Sequence, residues 1–209
     1  MRQMVWTGAL VALAACYPGG AEQVTDLDTV TTQHDPGAKF SSIRTYALPD
    51  SIQEVTSPHG WPLTIDHSHD AQILAWVTAN LDGLGWTRVD PAVTAPDVDV
   101  LVSVSATRYV EYLSYPFYDA WPGWAGFSTY DGTWGVTYPW MSSASYATVL
   151  DAGTLRMEML DARMPDASNK TLTAIWTASI DGVLAGSTDS LLQRIQHGID
   201  QAFAQSSYL

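Results

Sequence analysis

The chain has 209 residues, the length of one medium-sized domain. Hydrophobic residues make up 46% of it and charged residues only 15%, a balance that supports a buried core and argues against wholesale disorder. Nine basic residues against 22 acidic ones give a formal net charge of -13, which argues against nucleic-acid binding and against electrostatic docking on an anionic bilayer. The single cysteine excludes an internal disulfide and a CxxC-type metal site.

The N-terminus has the features of a bacterial lipoprotein signal. An uncharged stretch follows Arg2 and ends at Ala15, which is too short for a helix that spans a bilayer and is typical of a secretory signal peptide. The motif LAAC at residues 13–16 resembles the lipobox, in which small residues precede a lipid-bearing cysteine. We therefore predict a signal peptide over residues 1–15 and lipid attachment, including palmitate, at Cys16. The alternative is that Cys16 is an ordinary buried cysteine.

Several acyl chains at Cys16 would anchor the protein to a membrane, because each buried methylene contributes about 0.8 kcal/mol. Residue 17 is Tyr rather than Asp, which by resemblance to enteric sorting rules indicates the outer membrane. Cleavage would remove Arg2 and no acidic residue, and so change the formal net charge from -13 to -14. We predict a flexible tether over residues 16–23 and a single domain over 24–209.

Six strands and two helices are predicted along the domain. Strands are expected at 30–35, 43–48, 86–89, 97–107, 153–162 and 172–180, and the second of the two helices closes the chain. The alternation in 97–107 places Val98, Val100, Val102 and Val104 on a buried face and the serines on a solvated one. In 153–162, Leu155, Met157 and Met159 are expected inward and Arg156 and Glu158 outward.

The first helix is predicted over residues 67–81, with an apolar stripe that includes Ile73 and Val77 and a stop at Gly83 and Gly85. The second is predicted over 190–204, with a capping box from Ser190 to Gln193 and a buried face from Leu191 to Phe203. The order of elements predicts an α+β fold, a two-layer arrangement of an antiparallel or mixed sheet with two amphipathic helices on one face.

An aromatic insertion is predicted at residues 109–146, between two long strands. It contains more than half of the chain's aromatic residues, no Lys or Arg, and several Pro and Gly that break any helical period. The rings could cover the sheet's second face, contact a partner, stack on glycan or peptidoglycan, or lie at a membrane interface. The candidate binding surface consists of Tyr115, Tyr118, Trp121, Trp124, Tyr130, Trp134 and Trp140.

Two clusters of polar residues are candidates for chemistry. His67 and His69, flanked by Asp66 and Asp70, lie where a helix begins, and residues i and i+2 diverge on a helix, so capping is favoured over a weak metal site. Glu111, Asp119 and Asp131 could act as paired carboxylates of a hydrolase, although their spacing does not support it. We predict no catalytic residue, no metal and no cofactor, and an enzyme is the least favoured reading.

Several segments together resemble a known family. They are residues 30–35, the FSSIRTYA run at 40–47, LGW at 84–86, DVDVLVS at 97–103, GTLRMEMLDA at 153–162, and IW at 175–176 before the terminal helix. This set resembles the bacterial lipoproteins of domain-of-unknown-function family 4136. The resemblance implies a periplasm-facing α/β domain on a lipid anchor and carries over no catalytic residue.

The expectation from the sequence is a lipid-anchored envelope lipoprotein of the outer membrane that faces the periplasm and binds or scaffolds an envelope protein. The alternative is a glycan or peptidoglycan binder that uses the aromatic insertion, and the second alternative is a hydrolase. Contact with the membrane is expected through acyl chains on Cys16, and no contact with nucleic acid is expected.

Overall fold

The computed structural model describes residues 28–54, 65–90, 98–107, 111–114, 134–140, 147–150, 153–182 and 188–209. The strands are β1 (Thr29–His34), β2 (Thr45–Ala47), β3 (Gln53–Glu54), β4 (Thr87–Val89), β5 (Val100–Thr107), β6 (Glu111–Ser114), β7 (Gly135–Thr137), β8 (Ala147–Leu150), β9 (Thr154–Asp166) and β10 (Thr171–Asp181). The helices are α1 (Asp70–Gly83) and α2 (Thr188–Ala204), with short 3-10 turns at Phe40–Ser42 and His67–His69.

Eight of these strands form one mixed sheet with the path β1-β10-β9-β5-β2-β4. The pairs β1/β10, β10/β9 and β9/β5 are antiparallel, whereas β2 pairs in parallel with both β5 and β4. The short strands β3 and β7 add parallel pairs to β5 and β10. Strands β6 and β8 form a separate antiparallel ladder. The long central strands β9 and β10 therefore organise the domain.

Both helices pack on one face of the sheet, which we call the first face. Helix α1 buries Ile73, Leu74, Val77 and Leu81, and α2 buries Ile195, Ile199, Ala202 and Phe203. Where α2 crosses β10, the helix backbone lies directly on the Ile180 side chain, because a Cβ built on Gly198 would lie 2.5 Å from Cγ2 of Ile180. A larger residue at position 198 would therefore require Ile180 or the helix to shift.

The centre of this core is Trp176 on β10, whose exposure is 0%. Its ring lies 5.3 Å from that of Phe203, and its indole Nε1 donates a 2.9 Å hydrogen bond to the Ser206 hydroxyl. That bond satisfies the one polar group that the ring brings into the core, as burial of an indole requires.

A buried ion pair joins the beginning of the described domain to its last helix. The Nε and Nη2 of Arg194 on α2 donate to the two carboxylate oxygens of Asp28, directly before β1, and Nη2 also donates to the carbonyl of Gly182. These bonds to Asp28 raise the pKa of the Arg194 guanidinium. The ion pair fixes the point at which the chain enters the sheet.

The α+β prediction, with a mixed sheet and two helices on one face, is confirmed. The strand predictions are confirmed with small changes of bounds, and the first helix is confirmed with its first turn in 3-10 form. Its stop is confirmed as well, because α1 ends at Gly83 and Gly85 has a left-handed φ of 83°. Sequence analysis missed the short strands β3, β6, β7 and β8, which have too few residues for a periodic signal.

Three local predictions are wrong. Ser103 and Ser105 are 1% and 3% exposed, and Arg156 and Glu158 are 7% and 3% exposed, so the face opposite the helices is buried there rather than solvated. Val98 packs in the cluster of that second face and not with Val100. The predicted capping box is misplaced, because α2 begins at Thr188 and Ser190 lies inside it. Within the described residues, no helix has the length and apolar character needed to cross a bilayer.

Candidate functional site

The second face of the sheet, opposite the helices, carries two rows of polar residues that run across four strands. The first row is Ser103 on β5, Glu158 on β9, Thr177 on β10 and Gln33 on β1. The second row is Ser105, Arg156, Ser179 and Thr31 on the same strands. Side chains along a strand alternate between the two faces of the sheet. On each strand the residue of the second row lies two positions from the residue of the first row, so both rows lie on the same face.

An ion pair lies at the centre of these polar rows. Glu158 Oε1 accepts hydrogen bonds from Arg156 Nε and Nη2 at 3.0 and 2.8 Å, and the hydroxyl of Tyr138 donates to the same oxygen at 2.7 Å. The guanidinium carbon of Arg156 also lies 5.8 Å from the centre of the Tyr138 ring. A buried charge requires such pairing, so these three side chains hold one another in place.

Aromatic side chains continue from this ion pair toward the edge of the sheet. Trp140 packs edge-on against Tyr138 with ring centres 5.7 Å apart, and its Nε1 donates a 3.0 Å hydrogen bond to Oε1 of Gln33. Trp134 and Trp140 are half-buried against an apolar cluster that includes Leu101, Leu160 and Leu172. Burial along the polar rows therefore decreases from Ser103, which is fully buried, to the exposed residues on β1, which lie beside the half-buried indole of Trp140.

The seven aromatics predicted as a binding surface are placed only in part. Trp134 and Trp140 lie at the second face as described. Tyr115, Tyr118, Trp121, Trp124 and Tyr130 lie outside the described residues, and so does Cys16. Of the acids considered for hydrolysis, Glu111 lies in β6, whereas Asp119 and Asp131 fall outside the described part, so that role stays a prediction.

Sequence reading missed Tyr138, Arg156 and Glu158 as one unit because it assigned the two charged residues to solvent. The available signal was an Arg and a Glu two positions apart, hence on one face of a strand whose neighbours offer only Ser and Thr on that face. Opposite charges in that arrangement can pair along a strand and so tolerate burial.

The His67–Asp70 segment forms the start of α1. The Asp66 carboxylate accepts a 2.9 Å hydrogen bond from the Ser68 backbone N–H, which lowers the pKa of Asp66 and confirms the predicted capping role. Asp70 is buried and its Oδ2 lies 2.8 Å from both His67 Nδ1 and the Ile52 backbone nitrogen. Among the described residues, no group of three metal-ligating side chains comes together.

A shallow groove of about 550 Å³ opens beside this segment, lined by residues that include Asp50, Gln53, Glu54 and His67. Its only buried charge, Asp70, already accepts hydrogen bonds from His67 and Ile52. The contacts therefore tie the β3 strand to the beginning of α1, and they account for the polar residues in structural terms.

A mixed sheet with both helices on one face and polar rows on the other defines an α+β domain without a recognisable catalytic constellation in the described residues. The sequence matches the family described as domain of unknown function DUF4136 over residues 30–206, and the chain belongs to this family. No curated protein matches the chain at a significant level.

Solved structures with a similar fold were also found. A DUF4136 family protein from Bacteroides thetaiotaomicron VPI-5482 is 22% identical with a TM-score of 0.62, over 87% of this chain and 97% of that one. That level of identity supports a common fold alone. A PelC dodecamer from Paraburkholderia phytofirmans is 14% identical with a TM-score of 0.36, over 85% of this chain and 99% of that one. A PDZ domain protein from Parabacteroides distasonis ATCC 8503 is 11% identical with a TM-score of 0.42, over 87% and 36%. These last two TM-scores are too low to support an argument.

Proposed function

We propose that this protein is a lipid-anchored envelope lipoprotein of the outer membrane, that its domain faces the periplasm, and that it binds or scaffolds an envelope protein. The observation that carries the proposal is the motif LAAC at residues 13–16, which ends a short uncharged stretch and contains the chain's single cysteine. Acyl chains on Cys16 would anchor the protein independently of its acidic charge.

The position of Asp28 supports a tethered arrangement. The family match begins at residue 30, and the buried ion pair between Asp28 and Arg194 fixes the chain directly before β1. The interval from Cys16 to Asp28 could span at most roughly 40 Å if fully extended. A domain on such a tether would work close to the membrane surface.

The anchor is tested with Cys16→Ser in the full-length protein, with Ser207→Ala at an exposed position as the control. Metabolic labelling with palmitate, membrane fractionation and detergent extraction are the measurements. The parent protein and the control should carry label and float with outer-membrane fractions. Cys16→Ser should lose the label and be either soluble or unprocessed. A processed Cys16→Ser protein that still cofractionates with membranes would refute the anchor.

The partner-binding role is tested by site-specific crosslinking in cells. Strand β7 pairs with β10 in the sheet, and Tyr138 binds Glu158 of the first polar row. A deletion within the aromatic insertion should therefore spare residues 134–140. Replacing 115–133 by a Gly-Ser linker of equal length keeps β6 and β7 in place. Loss of one specific crosslinked envelope protein, with an unchanged melting temperature, is the expected result. Retention of every crosslink would contradict a role of that segment in binding.

Glycan binding is a second candidate, favoured by the half-buried indole of Trp140 beside the exposed Gln33 and Thr31. Sugars bind to such pairings because an aromatic ring offers a flat apolar face while amides and hydroxyls offer hydrogen bonds. Soluble peptidoglycan fragments should quench tryptophan fluorescence of the parent protein and do so less in Trp140→Phe. An unchanged spectrum at about millimolar ligand, as expected for weak sites of this kind, would remove this candidate.

A further inference from the structure

Three basic residues lie around the 3-10 turn Phe40–Ser42, since Lys39 directly precedes it, Arg44 follows it, and Arg163 on β9 binds to it. Arg163 Nη1, on β9, donates a 2.7 Å hydrogen bond to the Ser42 hydroxyl, which in turn donates at 2.7 Å to the carbonyl of Lys39. Arg44 follows the same turn and donates from Nη1 to the carbonyls of Ser41 and Ile43. We call Lys39, Arg44, Arg163 and the adjoining Met164 the distal basic surface.

Two cations of this surface, Lys39 and Arg44, form no ion pair within the described part of the chain. Arg163 pairs with Asp161, as Arg88, Arg156 and Arg194 each pair with a carboxylate. The guanidinium of Arg44 instead bonds to main-chain carbonyls, and among the described residues Lys39 has no side-chain partner. Both side chains are exposed and are free to meet an anionic group from outside.

Two acids lie beside these cations, and both are already engaged. Asp161 binds Arg163 through both of its oxygens, at 2.9 and 2.6 Å. Asp99 Oδ2 accepts the backbone N–H groups of Arg44 and Thr45. The chain as a whole has more than twice as many acidic as basic residues, so a local excess of basic residues is a departure from its general charge.

An exposed apolar residue, Met164, directly follows Arg163 in the sequence. On β10, Thr171 pairs with Asp166 of β9 and Thr173 pairs with Asp161. The β9 segment between those two pairs is longer than the β10 segment opposite it, so β9 bulges there. Met164 lies in this bulge with 83% exposure and is the only large hydrophobic residue exposed in the described part of the chain. Met and Arg are both enriched in the buried centres of protein interfaces.

The distal basic surface lies far along the sheet from the point at which the tether joins the domain. Asp28 directly precedes Thr29, which pairs with Asp181 at one end of β10, whereas Asp161 pairs with Thr173 toward the other end. The two positions on β10 are eight residues apart, or roughly 26 Å at about 3.3 Å per residue. A domain tethered through Asp28 would therefore direct this surface away from the anchored end.

We propose that the distal basic surface docks an acidic segment of a partner protein, with carboxylates at Lys39 and Arg44 and an apolar side chain against Met164. The proposal deepens the partner-binding role by assigning the chemistry of the partner, and it rests on that role but not on the lipid anchor. An acidic segment is favoured because exposed, unpaired cations beside an exposed thioether match alternating carboxylate and apolar side chains.

The test uses the full-length protein in a neutral detergent and a fluorescein-labelled peptide of alternating Glu and Leu, with a Lys/Leu peptide as the opposite-charge probe. The test variant is Lys39→Gln/Arg44→Gln. The matched control is Gln196→Glu/Gln201→Glu at exposed positions of α2, which changes the net charge by the same amount at a distant place. Met164→Ser tests the apolar part of the surface. Fluorescence anisotropy gives the Kd for each pair at low and high salt.

The parent protein should bind the Glu/Leu peptide more tightly than the Lys/Leu peptide, and more weakly as salt screens the charges. Lys39→Gln/Arg44→Gln should raise the Kd at least fivefold and Met164→Ser about threefold, while the control changes it less than twofold. Equal weakening by the test and control variants would overturn the proposal, as would binding to the Lys/Leu peptide that is as tight as binding to the Glu/Leu peptide. Because no outcome involves Cys16, a failure here is distinct from a failure of the anchor.

Discussion

The two faces of the sheet are built from the same strands but are buried by different means. On the first face, strand residues such as Trp176 and Met157 pack against two helices in an apolar core. On the second face, Arg156 and Glu158 are nearly as inaccessible, yet they are satisfied by each other and by Tyr138. Alternation along a strand therefore indicates which residues share a face of the sheet, but not whether that face is exposed to solvent.

This difference determines how each face should fail when it is altered. Truncation on the first face removes apolar contacts and leaves a cavity. Truncation on the second face leaves a buried charge without its partner, and the energetic cost then depends on which atom loses its hydrogen bond. The following substitutions separate the two modes.

The largest loss is expected from Trp176→Ala on the first face, because it removes a fully buried ring and its contact with Phe203. We expect the free energy of unfolding to fall by about 4 kcal/mol in urea denaturation. Trp140→Ala, the same chemical change at a half-buried site on the second face, should cost about 1–2 kcal/mol. Equal losses would show that the two faces are packed alike.

A somewhat smaller loss is expected from Glu158→Gln on the second face. The neutral amide keeps the shape but removes the carboxylate that pairs with Arg156, which should cost about 3 kcal/mol. Replacing both partners, in Arg156→Met/Glu158→Leu, should restore much of that stability because no uncompensated charge remains. If the double variant is as unstable as the single one in urea denaturation, the pair contributes through contacts other than its charge.

A pH-dependent effect is expected at Tyr46, which is fully buried on the first face and donates a 2.9 Å hydrogen bond to Asp82. Burial, followed by the bond to Asp82, raises its pKa from 10.0 to about 12. The folded state thus holds the proton more tightly than the unfolded state. This stabilisation is complete below pH 10 and is lost as the pH rises toward 12.

Urea denaturation of the parent and of Tyr46→Phe across that range measures the effect. The parent should lose more stability than Tyr46→Phe as the pH rises, since the variant has no phenol to ionise at that site. Parallel losses in the two proteins would contradict the prediction. Reading the difference between them cancels the other tyrosines, which titrate in both.

The smallest effect is expected from Thr31→Val, at the exposed end of the second polar row. Valine has a similar shape and an equal preference for strands, so the free energy of unfolding should change by less than about 0.5 kcal/mol. A large loss would mean that position 31 resembles the buried part of its row, and the distinction by burial within one face would then fail.

Much of the fold could be predicted because its strong signals are local. The valines at 100, 102 and 104 alternate, and the apolar stripe from Ile73 to Leu81 has helical spacing. The burial of Ser103 and Glu158 could not be predicted, because it depends on what packs over them from distant parts of the chain. The start of α2 was misplaced for a related reason, since Thr188 and Ser190 are both acceptable residues near a helix N-terminus.

Only the amino-acid composition of the candidate site could be predicted from the sequence. The excess of aromatic residues around Trp134 and Trp140 was visible, but the hydrogen bond from Trp140 to Gln33 joins residues 107 positions apart. The distal basic surface is equally non-local, since Arg163 meets Ser42 across 121 positions. Such contacts depend on the order of the strands in the sheet, which local sequence patterns do not reveal.

The pairing of β1 with the C-terminal part of the domain has a consequence for the order in which the domain can form. Strand β1 pairs with β10, and Asp28 and Val30 contact the α2 segment through Arg194 and Gln205. Strand β1 therefore cannot form this pairing until almost the entire chain has been synthesised. Closing so long a loop is costly in entropy, so we expect β1 to dock late in folding, after β5, β9 and β10 have paired.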